Sequence, residues 1–256
     1  ESLASLLESV SRFAQPHRLV LGISPHTLYT VTWEDLVETG VLAMERSTPI
    51  TMHLLETAEE AEWLPGGGGF LQTFLARHRL PTVSRAGRGR AIDLLRQAGL
   101  LDQRPLLAHV NYLDDQELEE LASSEASVVW CPRSHRFFGH PPHRWREMLE
   151  AGINVRLGTD SLASNETLSI LDEMRHLRRT APEVDPGLIL EMGTSRGAAG
   201  LGLDRHLGSL RNGLGADFVV IPWDAAGPSD PILNTLEGTE QVSGVWIDGT
   251  KVSPQA

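Results

Sequence analysis

The chain has 256 residues, 41% of them hydrophobic and 22% charged, and a formal net charge of −12. This is ordinary globular composition, and the acidic balance argues against a dominant nucleic-acid or anionic-membrane surface, which would need clustered Lys and Arg. The single cysteine, Cys131, excludes an intrachain disulfide and fits a reducing, cytoplasmic setting, and no apolar run is long enough to span a membrane.

Residues 2–13 place Leu3, Leu6, Leu7 and Val10 on one face, predicting a helix that is acidic and unlike a signal peptide. Residues 19–23 form a short apolar run leading to Ser24, Pro25 and His26. Residues 32–46 have helical spacing, with Leu36, Val37, Val41 and Met44 expected inward. Residues 50–55 read as a strand carrying His53, with Glu56 just beyond. A short acidic helix over 57–63, a mobile loop over 65–69 and helices over 70–78 and 89–98, joined by a basic turn, follow. Residues 106–110 are a strand carrying His109, and 114–123 a helix with Asp114 as N-cap. Residues 127–131 are a strand stopped by Pro132, 133–144 an irregular loop rich in His and Arg, and 145–150 a helix. Ile153, Val155 and Leu157 then alternate with Asn154, Arg156 and Gly158 in a strand that delivers Asp160, and helical spacing covers 166–179. A helix over 186–199 is followed by Gly200 and Gly202 as stop signals. Residues 216–221 and 242–252 are strand-like, the latter turning at Asp248-Gly249, and form a small C-terminal β region.

The alternation of strands and helices implies an α/β fold with a parallel sheet, and five strands are expected between Ile23 and Asp160. Four of the five end on residues that can bind a metal or move a proton: His26, His53 with Glu56, His109 and Asp160. One strand-end histidine is ordinarily structural. Several matter more, because a parallel barrel gathers its strand C-termini on one face. Imidazole and carboxylate suit a hydrolytic Zn²⁺ or Fe²⁺ site. Glu56 lies three residues past His53, off its strand face, and suits proton transfer better than ligation.

The segments SPHTLYT, MHLLETAEE, LLAHVNYL, VVWCPRSH and VRLGTDSLASNETLSILDEMR resemble the successive strand-end motifs of the amidohydrolase superfamily, in its metal-dependent deaminase and chlorohydrolase branch. The resemblance implies a partial (β/α)8 TIM barrel, about the last five βα units, over residues 1–212, with a small β segment over 213–256. It implies one divalent ion, Zn²⁺ first and Fe²⁺ second, with His53 and Asp160 as ligands. Glu56 corresponds to the acid that passes a proton from the attacking water to a substrate ring nitrogen. His109 corresponds to a catalytic residue that hydrogen-bonds the hydroxide or the substrate. Asp160 would also accept a proton from the water, and His26 would orient the substrate. The implied reaction is hydrolysis of a C–N bond, by deamination of an aminated purine-like or other heterocycle, in a homo-oligomeric cytoplasmic enzyme. Hydrolytic dechlorination and amide hydrolysis stay open. Cys131 is expected to pack rather than react.

Two departures qualify the resemblance. No His-x-His occurs in the sequence, whereas the family carries that pair at its first strand, and only five of eight strands are recognisable. The expectation is therefore the C-terminal portion of a barrel whose N-terminal segment is missing, and a non-catalytic segment is the alternative reading. His135 also stands where the family has Asn. His135, His140 and His143, with Arg133, Arg136, Arg144 and Arg146, form either an anion-recognising patch or a solvated basic loop. Trp63 is expected to pack rather than stack on a substrate.

Overall fold

The computed structural model describes residues 3–11, 19–78 and 89–252. The expected basic turn between the helices of 70–78 and 89–98 lies outside the described residues, as do the ends of the helix expected over 2–13. In chain order the elements are α1 (Leu3–Ser11), α2 (Trp33–Arg46), β1 (Thr51–Leu54), α3 (Ala58–Gly66), α4 (Gly69–His78), α5 (Ala91–Gln97), β2 (Leu106–His109) and α6 (Asp115–Ala122). They continue with β3 (Ser127–Trp130), α7 (Pro132–Phe138), α8 (Trp145–Glu150), β4 (Asn154–Leu157), α9 (Ile170–Thr180), α10 (Pro186–Gly193) and α11 (Ser195–Gly200). The last are β5 (Phe218–Val220), α12 (Pro231–Glu237), β6 (Gly244–Ile247) and β7 (Thr250–Val252). Two compact units result, residues 1–129 with 140–154, and residues 130–139 with 155–256.

One sheet has four strands in the order β1-β2-β3-β4. β1 runs parallel to β2 with Thr51 opposite Leu106, and β2 parallel to β3 with Leu106 opposite Ser127. Strands in sequence order, each reached through helices, are the expected βαβ pattern. Among the described residues the sheet does not close into a barrel. The strand expected over 19–23 is reduced to isolated bridge residues, among them Ile23 paired with Ile50. The chain still tracks β1, since Ile23 N donates to Pro49 O, Thr51 N to Ile23 O and His53 N to His26 O. Pro25 has no N–H to extend a ladder. A second sheet, β5-β6-β7, is antiparallel. Its β6–β7 turn has both Asp248 and Gly249 at positive φ, as a two-residue hairpin requires.

Several helices are set by their caps. Thr32 accepts from Asp35 N, and Asp114 forms a reciprocal capping box with Glu117. The inner face of α2 differs from expectation. Leu36 is buried, but Val41 and Met44 are exposed, and Thr39, Gly40, Leu42 and Ala43 are buried instead. Close approach explains the shift: a Cβ on Gly40 would lie 2.2 Å from Ala98 O. The stretch expected as an irregular loop begins with α7, for which Pro132 occupies the first turn and Gly139 the left-handed C-cap. The helix expected over 186–199 breaks at Thr194 into α10 and α11. α12 was not foreseen; Asp230 caps it through Ile232 N and Leu233 N, with Pro231 in its first turn. Trp63 is fully buried and donates Nε1–H to Gln72 Oε1, so it packs as expected. No helix among the described residues is long and apolar enough to cross a membrane.

Candidate functional site

The first unit gathers His26, His53, Glu56 and His109. β1 and β2 are adjacent and parallel, so their C-terminal ends lie side by side. The His53 and His109 rings stack with centroids 5.2 Å apart, and His26 meets His53 edge-on, also at 5.2 Å. Glu56 Oε1 lies 3.8 Å from His109 Nε2. His109 is buried, and His53 Nδ1 is buried with no hydrogen-bond partner among the described residues.

Side chains not singled out for this role hold the cluster in place. Asn111 Nδ2 donates to the Glu56 carbonyl at 2.9 Å. His143 Nε2 lies 2.7 Å from the His109 carbonyl, and since that oxygen can only accept, the proton sits on Nε2. His26 Nδ1 hydrogen-bonds Thr30 Oγ1 at 2.8 Å. The His26 pKa is lowered, chiefly by burial and then by His53, against the opposing pull of Glu56. Glu60, fully buried, accepts the Glu56 N–H at 3.0 Å. Burial, with Glu56 and Glu117 adding repulsion, pushes its carboxyl up to about 7 despite the backbone N–H groups of Glu56 and Leu55.

Asp160 belongs to the second unit, just past β4. Ser134 and Ser164 both donate to its Oδ2 at 2.6 Å. Asn165 Nδ2 ties the loop to Thr159 O and to Glu173 Oε1, and Glu173 Oε2 takes the backbone N–H of Arg133. Cys131 is buried as a free thiol. Of the His/Arg-rich stretch, His140 and His143 fall in the first unit and His135 in the second.

Backbone conformation marks the same positions. His26, Leu55, His109, Val110 and Asp160 all have φ between 48° and 71°. For residues with a Cβ this left-handed region costs about 1–2 kcal/mol each. Such strain concentrates where side chains must be aimed for function.

The amidohydrolase family model matches residues 3–252. The chain belongs to the amidohydrolase family. It is 29% identical to a 5-methylthioadenosine/S-adenosylhomocysteine deaminase of Syntrophus aciditrophicus, over 98% of this chain and 55% of that protein. It is 32% identical to an aminodeoxyfutalosine deaminase of Deinococcus radiodurans, over 75% of this chain and 47% of that protein. Among solved structures, an adenosine deaminase from Xanthomonas campestris with bound zinc aligns with a TM-score of 0.79 at 26% identity, covering 97% of this chain and 55% of that one. The chain thus spans about half the length of the relatives it matches.

Amidohydrolases use a divalent metal, and the residues present fit one. An imidazole nitrogen buried without a partner, as at His53 Nδ1, costs about 1–3 kcal/mol, and coordination would remove that cost. Neutral histidine and carboxylate are the donors zinc takes in hydrolytic sites. Among the supporting residues, Asn111 and Ser134 lie inside the motifs that carried the resemblance, and Asn165 and Ser164 in the loop after Asp160. Their polarity gave no sign of a partner, since each acts through space.

Proposed function

We propose that the protein is a metal-dependent hydrolase that deaminates an aminated purine-like heterocycle, and that its four-stranded sheet is part of an eight-stranded barrel followed by a small β segment over 213–256. The observation that carries this reading is the gathering of His26, His53, Glu56 and His109, with Glu56 within 3.8 Å of an imidazole nitrogen. Relatives named as deaminases of adenosine-like compounds support the substrate class.

His53 and Asp160 are the residues that would hold the ion, imidazole and carboxylate being the donors that zinc takes in hydrolytic sites. Bound there, zinc would lower the pKa of water to about 7 and supply a nucleophile at neutral pH. Asp160 accepts a proton from the water as its oxygen adds to the amino-bearing carbon. Glu56 delivers a proton to the adjacent ring nitrogen and stays within reach of His109. His109 steadies the oxygen that adds, and His26 orients the ring. Asp160 passes its proton to the departing amino group, the C–N bond breaks and ammonia leaves; the added hydroxyl gives up its proton, so the carbon keeps the water oxygen as a carbonyl and the ring nitrogen keeps the proton from Glu56.

The test is ammonia release from a panel holding 5-methylthioadenosine, adenosine, guanine and a chlorinated triazine. Ammonia from an aminopurine, abolished in Glu56→Gln, is the expected result. Chloride release alone would replace deamination with dechlorination.

A further inference from the structure

The second unit contains a cavity of about 740 Å³ between α7, the loop over 161–167 and α9. Arg133, Arg136, Arg179 and His176 all line it. Arg133 is fully engaged: it donates to Thr167 Oγ1 at 2.9 Å and lies within 4.0 Å of Glu166, Asp172 and Glu173. Those acids include both that line the cavity, Glu166 and Asp172, and Asp172 also accepts from Thr167 at 2.6 Å. Arg136 and Arg179, by contrast, have no acid within 4.0 Å and no side-chain hydrogen bond among the described residues. His176 is only 8% exposed. Burial first, then Arg179, Arg136 and Arg133, lower its pKa to about 4. Two uncompensated cations and a neutral imidazole therefore share one cavity. Phe137 and Leu162 add an exposed apolar wall.

We propose that this cavity is a binding site for the phosphate group of a small molecule, held by Arg136 and Arg179 with His176 as a third donor. Guanidinium forks match phosphate oxygens in charge and geometry. A carboxylate has two oxygens and is served by one arginine; two arginines and an imidazole suit an oxyanion with three. An anion there offsets the positive charge that both arginines place on His176 and favours its protonation. The cavity shares Ser164 and Asn165 with the Asp160 loop, but its arginines take no part in the proposed deaminase chemistry, and the phosphate reading does not depend on it.

The experiment titrates the full chain with inorganic phosphate, acetate and chloride at matched ionic strength, following the His176 ring by NMR. Saturable phosphate binding is expected, with the His176 pKa raised and acetate at least tenfold weaker. In an Arg136→Gln, Arg179→Gln double variant the phosphate affinity falls about tenfold or more, while Tm without phosphate is unchanged because both side chains are exposed. Absence of saturation, an equal response to chloride or acetate, or wild-type affinity in the double variant would overturn the proposal.

Discussion

Glu56 is the residue whose removal should separate chemistry from binding. Glu56→Gln keeps the side chain's size and leaves the backbone bond from Asn111 in place, but it removes the transferable proton. The expected outcome is a loss in kcat of about 10²–10⁴ with zinc affinity unchanged, measured by turnover and by metal titration. Two other residues set opposing pH trends in stability. Glu60, with its pKa raised to about 7 from 4.5, binds more protons folded than unfolded between those values. Its contribution is full below pH 4.5 and is lost as pH rises through about 7. His176, with its pKa lowered to about 4 from 6.5, binds fewer protons folded than unfolded. Its contribution is present above pH 6.5 and is lost as pH falls toward 4. Tm measured from pH 4 to 8 should lose the neutral-side decline in Glu60→Gln and the acid-side decline in His176→Gln. A profile unchanged by either variant would contradict the corresponding shift. At this scale the strand-end positions of His53, Glu56, His109 and Asp160 were legible, because apolar runs, and alternation before Asp160, mark the strands that lead to them. Glu60 was not, since its acid-rich helix reads as solvated and only packing shows that its carboxyl turns inward to the Glu56 N–H.

Elements were legible where a period or a cap marked them, and misread where small residues did the packing. Strands β1 to β4 follow from their apolar runs, and α6 from Asp114. On α2 the apolar residues Val41 and Met44 pointed to the wrong face, because the neighbouring backbone is met by Gly40. Gly200 shows the same effect. It reads as a stop signal, and it does end α11, yet its missing side chain is needed by a neighbour. A Cβ there would fall 1.3 Å from Nη1 of Arg156, a buried guanidinium that reaches Gly197 O at 3.4 Å. Burial lowers the Arg156 pKa to about 10. Gly200→Ala should therefore destabilise by about 1–3 kcal/mol, as overpacking does. Gly202→Ala should also destabilise, but through the backbone, because Gly202 has φ 69° and nothing near its Cβ. Denaturant unfolding of both, and of Gly200→Ala with Arg156→Met, separates the causes: the Met background should relieve Gly200→Ala only.

On the scale of the whole molecule, the family was legible from five ordered strand-end motifs, and the match over residues 3–252 bears that out. The number of strands was less so, because the first is reduced to isolated bridge residues, with Pro25 unable to extend its ladder. The α/β class with a parallel sheet holds, while closure into a barrel belongs to the proposed function. The central claim is that His53 and Asp160 supply ligands to a metal ion of the kind a hydrolase needs. Calorimetric titration of the metal-free chain with Zn²⁺, beside His53→Ala and Asp160→Asn, tests it most directly. The account predicts one equivalent bound by the wild type and at least a tenfold loss of affinity in each variant. No binding by the wild type, or equal affinity in the variants, would contradict it.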